Sequence, residues 1–295
     1  MGTFFYKNKL SIYNFTVFTL SLLKGLCCLW NQTEAKRGSN EIATNIFLYI
    51  ERMAKEGYER MSFYSDNCGG QNKNRNVFCM YTIAAKKWKV DISHRFFETG
   101  QTQNEADSMH ARIEIEAARR EIFSEEEWKQ IIRSAKQEGE SYEIFELRNA
   151  DVLDFSQLVQ QQNWKKATGG SNVKWSKVRE VTANHQTGLV YVRYDLKIAD
   201  RLTIDPNSEL AVPIADLGSY QVPSAYKKKF PLPLKKARDI RDLCRDMAIP
   251  SVYHPFYSDI LSVTENEENA QEGEQCGDED ASCSDDDEES SGEEV

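Results

Sequence analysis

A carboxylate, Asp66, stands between a strand-like segment at residues 61–65 and a glycine-containing loop. A carboxylate at the C-terminal end of a strand lies where α/β sheets place ligands, and such carboxylates commonly hold a metal ion. The same loop contains amide and cationic side chains suited to a nucleic-acid backbone: Gln71, Asn72, Lys73, Asn74 and Arg75. An amide-rich turn without any ligand is the alternative interpretation.

A second acidic group stands at the start of a predicted helix over residues 105–122. Asp107, His110 and Glu114 are spaced i, i+3 and i+7 and therefore share one face, while Glu105 belongs to a neighbouring face. Such a face can ligate a hard cation such as Mg²⁺ or Mn²⁺, or position an attacking water. Acidic residues at a helix start also stabilise the helix dipole without a catalytic role, so both interpretations stay open.

Hydrophobic periodicity predicts the elements that must position these groups. Apolar alternation predicts a hairpin around Lys24 and Gly25, and helical spacing follows over residues 42–53 with Ser39 as a capping residue. A helix over 76–88, a strand over 90–97 and a helix beginning at Ser124 complete the order ββ-α-β-α-β-α-α. Strands alternating with helices predict an α/β fold with a mixed sheet.

Composition divides the remainder of the chain into three segments. Residues 139–225 alternate like short strands, including 142–147, 174–181 and 188–196, and predict a smaller β-rich region after a core at 1–138. Residues 226–260 form a basic segment with a helix predicted over 234–247. Residues 261–295 are predicted to be a disordered acidic tail, because a chain so poor in apolar side chains cannot offset its ordering entropy.

Charge and cysteine usage narrow the class of protein. The formal net charge is −10, yet residues 265–295 contain 15 acidic and no basic side chains, which leaves a body with a charge of +5. Seven cysteines without CxxC spacing predict a reducing compartment. The apolar stretch at 15–30 is too short and interrupted to span a bilayer, which predicts no membrane partner. No secretory pattern of a basic region and a short apolar stretch follows Met1, which predicts an intracellular protein.

Residues 64–75, which read YSDNCGGQNKNR, resemble the signature of an uncharacterised transposase-derived family that is common in invertebrate genomes. Three other segments resemble the same family in the same order. They are Tyr6-Lys7 with residues 13–15, residues 30–41 ending in RGSNEI, and residues 100–110 ending in NEADSMH. Together the resemblance covers about residues 5–150.

The resemblance implies a ribonuclease H-like fold in which three acids bind two Mg²⁺ or Mn²⁺ ions for phosphodiester cleavage and strand transfer. Asp66 is then the second acid and Asp107 the third, with Glu105 as the alternative; His110 and Glu114 are further metal ligands. In this architecture the first acid lies on a strand before the hairpin, and no carboxylate precedes Tyr6. Gln101 also stands where the family usually has His.

The chain is therefore predicted to be a transposase-derived protein that binds DNA and does not cut it. An active nuclease is the first alternative and requires a substitute acid, for which Glu34, Asp91 and Glu98 are candidates. The second alternative is a nuclear interaction scaffold that binds protein partners through its acidic tail. The basic cluster at 227–236 suits a nuclear localisation signal, a phosphate-binding patch or an ordinary solvated face.

Overall fold

The computed structural model describes residues 7–67, 72–98, 104–136, 138–207 and 212–274. Its first sheet opens with a hairpin of β1 (Ile12–Thr19) and β2 (Lys24–Asn31), paired antiparallel. Strand β5 (Glu143–Glu146) adds to β2 in parallel, so the order is β1-β2-β5. Residues far apart in the chain thus share this sheet.

The second sheet has five strands in the order β3-β4-β6-β7-β8. Strands β3 (Arg60–Ser65) and β4 (Asp91–Phe96) are parallel, with Ser65 opposite Phe96. Strands β6 (Glu180–Ala183), β7 (Val190–Arg193) and β8 (Leu202–Ile204) continue it antiparallel. The parallel pair requires a crossover, which the helix between β3 and β4 supplies.

Seven α-helices lie in the described residues, and three of them begin at a residue whose side chain caps the helix. The seven helices are α1 (Ser39–Lys55), α2 (Arg75–Trp88), α3 (Glu105–Ala117), α4 (Glu125–Ala135), α5 (Ser156–Gln161), α6 (Leu234–Arg245) and α7 (His254–Glu274). The side chains of Asn74, Asn104 and Ser124 accept backbone N–H groups at the starts of α2, α3 and α4. None of the described helices is long and apolar enough to cross a bilayer.

The main core lies between the second sheet and helices α1 and α2. Ile50 and Tyr81 are fully buried there and pack with inward-facing residues of the strands such as Ile92 and Val181. A second cluster joins β1 and β2 to α3 and α4, and a third holds α6 against α7. Each of the six longer helices buries apolar side chains in one of these three clusters.

The predicted mixed α/β architecture with flanking helices is confirmed, with local corrections. The helix predicted over 105–122 ends at Ala117, and the strand predicted over 174–181 begins only at Glu180. Ser39 does not cap α1; Glu41 instead accepts the N–H of Gly38 at 2.9 Å. Strands after residue 139 form no sheet of their own but join both sheets.

The predicted disorder of the tail is wrong for residues 261–274, which continue helix α7. The reason lies in the helix's first half, where Ile260, Leu261 and Thr264 are buried, and Thr264 Oγ1 accepts the N–H of Leu232 at 2.9 Å. Residues 275–295 lie outside the described residues.

Candidate functional site

Asp66 follows the last residue of β3 and is exposed at the carboxyl end of the parallel pair. Its Oδ1 accepts a hydrogen bond from Asn72 Nδ2 at 2.8 Å. Phe97 N donates to Ser65 O at 2.9 Å, so β4 extends beside the same end. The strand end expected from the sequence is therefore the one observed.

Behind Asp66 runs a buried chain of hydrogen bonds through Ser65, His94 and Tyr81. Ser65 Oγ donates to Asp66 O at 2.9 Å and lies 2.9 Å from His94 Nε2, while His94 Nδ1 lies 2.8 Å from Tyr81 Oη. Since the hydroxyl proton of Ser65 is used, His94 must donate from Nε2 and accept at Nδ1 from Tyr81. Burial lowers the pKa of His94 to about 3, so the ring is neutral.

Lys73 was expected to contact nucleic acid, but only 7% of it is exposed. Its Nζ donates to Asn67 Oδ1 at 2.9 Å and to Ser176 O at 2.7 Å, which ties the loop to the segment before β6. Burial and the nearby Arg179 lower the pKa of Lys73 to about 8. Lys73 therefore makes its hydrogen bonds within the protein.

The other residues predicted to contact nucleic acid differ in their exposure and in their contacts. Asn74 caps α2 by accepting the N–H of Val77 at 3.1 Å, and Asn72 holds Asp66. Arg75 is exposed at the first turn of α2. Gln71 lies outside the described residues, as does Gln101.

The residues of the acidic group on α3 make different contacts from one another. Asp107 is exposed and its Oδ2 accepts the N–H of Asn104 at 3.0 Å, in a capping box with Asn104. His110 Nε2 lies 2.9 Å from Thr16 Oγ1 on β1, whereas Glu105 and Glu114 face solvent. The helix-start interpretation accounts for the contact of Asp107.

The three candidate substitute acids occupy different places. Glu34 is 2% exposed and accepts from Lys229 Nζ at 2.8 Å and Asn149 N at 2.9 Å, so its oxygens are occupied. Asp91 begins β4 and is bound to His185 at 2.9 Å, roughly 16 Å from the Asp66 end at about 3.3 Å per residue. Glu98 alone of the three shares that end, 4.0 Å from Arg179.

Within the described ranges, no three His, Cys, Asp or Glu side chains converge as metal ligands. Asp66 and Asp107 each accept one protein hydrogen bond, and a two-metal centre needs a third carboxylate beside them. The described donor set thus does not fit the pair of Mg²⁺ or Mn²⁺ ions that the family resemblance implies.

The sequence patterns did not single out His94, Ser65, Tyr81 or Arg179 as members of the site. The alternation of His94 with Ile92 and Phe96 was the available signal, because residues two apart in a strand share a face. Arg179 carries a buried Nη1 without a hydrogen-bond partner in the described structure, and no local pattern indicates this.

Comparison with known proteins adds a family but no activity. No curated protein and no solved structure matches the chain. One family, described as a domain of unknown function (DUF8701), matches residues 2–190, which is more than half of the sequence. The matched region includes Asp66, the hairpin and both parallel strands. The chain therefore belongs to this DUF8701 family.

Proposed function

We propose that this chain is a transposase-derived, ribonuclease H-like protein that binds nucleic acid and does not cut it. The observation that carries the proposal is the layout of the two sheets. Strands β1 and β3 are both sheet edges among the described strands, and both contact Tyr49 of α1. Its hydroxyl lies 2.7 Å from Thr19 Oγ1, and its ring centroid lies 6.1 Å from that of Phe63.

A ribonuclease H-like sheet has one central strand, bearing the first acid, at the position between such edges. Neighbouring strands lie about 4.8 Å apart, so a gap of one strand separates its flanking strands by roughly 10 Å. The path from Thr19 through Tyr49 to Phe63 is compatible with that spacing. The parallel β3-α2-β4 unit, with Asp66 at its carboxyl end, agrees with the same architecture.

We expect no cleavage because of where the acidic side chains lie and what they contact. Asp66 is present, Asp107 is engaged as a helix-capping carboxylate, and Glu34 and Asp91 are held elsewhere by their own partners. Mg²⁺ depends on a small number of well-placed carboxylates, and the described residues contain no group of three such ligands.

Nucleic-acid binding rests on the cations near the Asp66 end. Arg75 is exposed, Arg95 on β4 and Arg179 immediately before β6 are partly exposed, and the body carries a net charge of +5. Phosphate contacts from such cations release counterions, so affinity falls steeply with salt. A nuclear location suits a DNA partner, and the acidic C-terminal segment would then bind protein partners or compete with DNA.

The test combines binding and cleavage on the full chain. Fluorescence anisotropy with labelled DNA at several salt concentrations measures binding, and gel electrophoresis after incubation with Mn²⁺ measures cleavage, for wild type, Asp66→Ala and Asp107→Ala. We expect salt-dependent binding, no Mn²⁺-dependent cleavage, and no difference between the variants in cleavage.

Two outcomes would overturn the proposal in different directions. Cleavage that disappears in Asp66→Ala would establish an active two-metal nuclease or strand transferase, for which Glu98 is the candidate substitute acid because it shares the strand end. No binding at any salt concentration would leave a protein-interaction scaffold.

A further inference from the structure

The second sheet has two unlike faces. One face carries apolar side chains such as Ile92, Phe96 and Val192, which are buried against the core beneath α1 and α2. The side chains of the alternate residues point to the opposite face, which we call the outer face. They are partly or fully exposed except for Glu180. Helices α1 and α2 therefore cover one side of this sheet and leave the outer face open.

The strand register arranges the outer face in three rows, of which the shortest consists of Arg60 and Asp91. One row crosses β3, β4, β6 and β7 and consists of Tyr64, Arg95, Glu180 and Arg193. Arg95 donates to Tyr64 Oη at 2.9 Å and to Glu180 Oε1 at 2.7 Å, and Arg193 donates to Glu180 Oε2 at 2.6 Å. These bonds hold both guanidinium groups in fixed positions.

The neighbouring row contains small hydroxyl side chains and one ring: Ser62, Ser93, Thr182, Tyr191 and Thr203. Short side chains keep the middle of the face flat. At one end Arg201 is exposed and stacks over Tyr191, with its guanidinium carbon 4.4 Å from the ring centroid. At the other end Tyr64 is 46% exposed and stacks with Phe97 at 6.2 Å.

The face has the charge that a polyanion requires. Four arginines, Arg60, Arg95, Arg193 and Arg201, lie on or beside it against three acids, Asp91, Glu180 and Asp205. Glu180 is 7% exposed and forms ion pairs with both Arg95 and Arg193, so its negative charge faces these arginines and not the solvent. The face thus combines net positive charge with stacking groups.

We propose that the outer face binds single-stranded nucleic acid. This inference rests on the proposed function and names the surface and the form of the nucleic acid. Bases stack on aromatic rings and on guanidinium planes, and a positive surface follows the backbone. Tyr64 on β3 and Tyr191 on β7 are three strands apart, roughly 14 Å at about 4.8 Å per strand, so one strand crosses the face between two platforms.

A single strand fits this face better than a duplex. A duplex hides the flat surfaces of its bases within its stack, so Tyr191 and Arg201 would meet only its backbone. A flat row of hydroxyls also provides no helix or ribbon that enters a major groove. Unstacked bases can use the rings directly.

The experiment measures anisotropy of one labelled oligonucleotide, either single-stranded or annealed to its complement, with the full chain. The variants are Tyr191→Ala, Tyr191→Phe and Arg201→Ala. Arg133→Ala is the matched control, because Arg133 is an exposed arginine on α4, away from this sheet, and its removal changes the net charge equally. Thermal unfolding of each variant checks that it is folded.

We expect wild type to prefer the single strand and Tyr191→Ala to weaken that binding by about fivefold or more. Tyr191→Phe keeps the ring and retains the affinity. Arg201→Ala weakens the affinity for the single strand more than Arg133→Ala does. It also lowers the dependence of the affinity on salt concentration by the equivalent of about one phosphate contact.

Equal affinities for Tyr191→Ala, Arg201→Ala and Arg133→Ala, or a preference for duplex, would overturn this inference while leaving the proposed function intact. If wild type binds neither form, both the inference and the proposed function are overturned.

Discussion

Protonation of His94 is the perturbation that tests the buried chain behind Asp66 most directly. The imidazole is 1% exposed and is surrounded by the rings of Phe63, Tyr81 and Phe96. Its Nδ1 must stay unprotonated in order to accept the hydroxyl of Tyr81. Burial accordingly lowers the pKa of His94 from 6.5 to about 3.

The sign of the pH effect follows from this shift. Below pH 6.5 the unfolded chain binds a proton at His94 that the folded protein excludes until about pH 3. The stability contributed by the neutral imidazole is therefore complete above the unfolded pKa and is lost as the pH falls towards 3. At about pH 4.5, roughly two units below the unfolded value, the loss is about 2–3 kcal/mol.

Urea unfolding followed by the fluorescence of the five tryptophans measures this loss at neutral pH and at about pH 4.5. The reference is His94→Gln, whose amide can donate to Ser65 but does not titrate. Carboxylates titrate in both proteins and cancel in the difference. We expect wild type to lose about 2–3 kcal/mol more than His94→Gln on acidification. Equal losses in the two proteins would refute the reasoning.

Four further predictions concern helix caps, the packing of α7 and the charge of the C-terminal segment. Asn104→Ala should lower the free energy of unfolding by about 1 kcal/mol, because α3 loses its cap; an unchanged melting temperature would contradict this. Asp107→Ala should also destabilise α3 and leave Mn²⁺ affinity, measured by calorimetry, unchanged; a loss of tight Mn²⁺ binding would restore Asp107 as a ligand. Thr264→Val leaves the N–H of Leu232 without its acceptor and should cost about 1–3 kcal/mol in urea unfolding, with Thr264→Ser as the control. Removal of residues 275–295, which carry 10 acidic side chains, should tighten DNA binding in anisotropy measurements; weaker binding would exclude competition by that segment.

Local elements followed well from the sequence because their causes are local. The hairpin around Lys24 and Gly25, the strand before Asp66 and the capped starts of α2 and α4 depend on residues within a few positions. The helix boundary predicted at residue 122 was wrong because periodicity does not indicate where tertiary packing ends.

The candidate site was predicted in part. Asp66 at a strand end follows from strand, loop and helix order alone, and the structure has it there. The burial of Lys73 depends on Ser176, and the occupation of Glu34 depends on Asn149 and Lys229. These contacts join residues more than 100 positions apart, which no local pattern specifies.

The sequence by itself determined the secondary structure near Asp66, the family resemblance and the separation of a basic body from an acidic end. Only the tertiary structure decided that β5 joins the hairpin sheet, that β6–β8 extend the parallel pair, and that Tyr64, Arg95 and Arg193 share a face. The physical reason is that strand pairing and burial are set by backbone hydrogen bonds and apolar contacts between distant segments, whereas periodicity and capping act within a few residues.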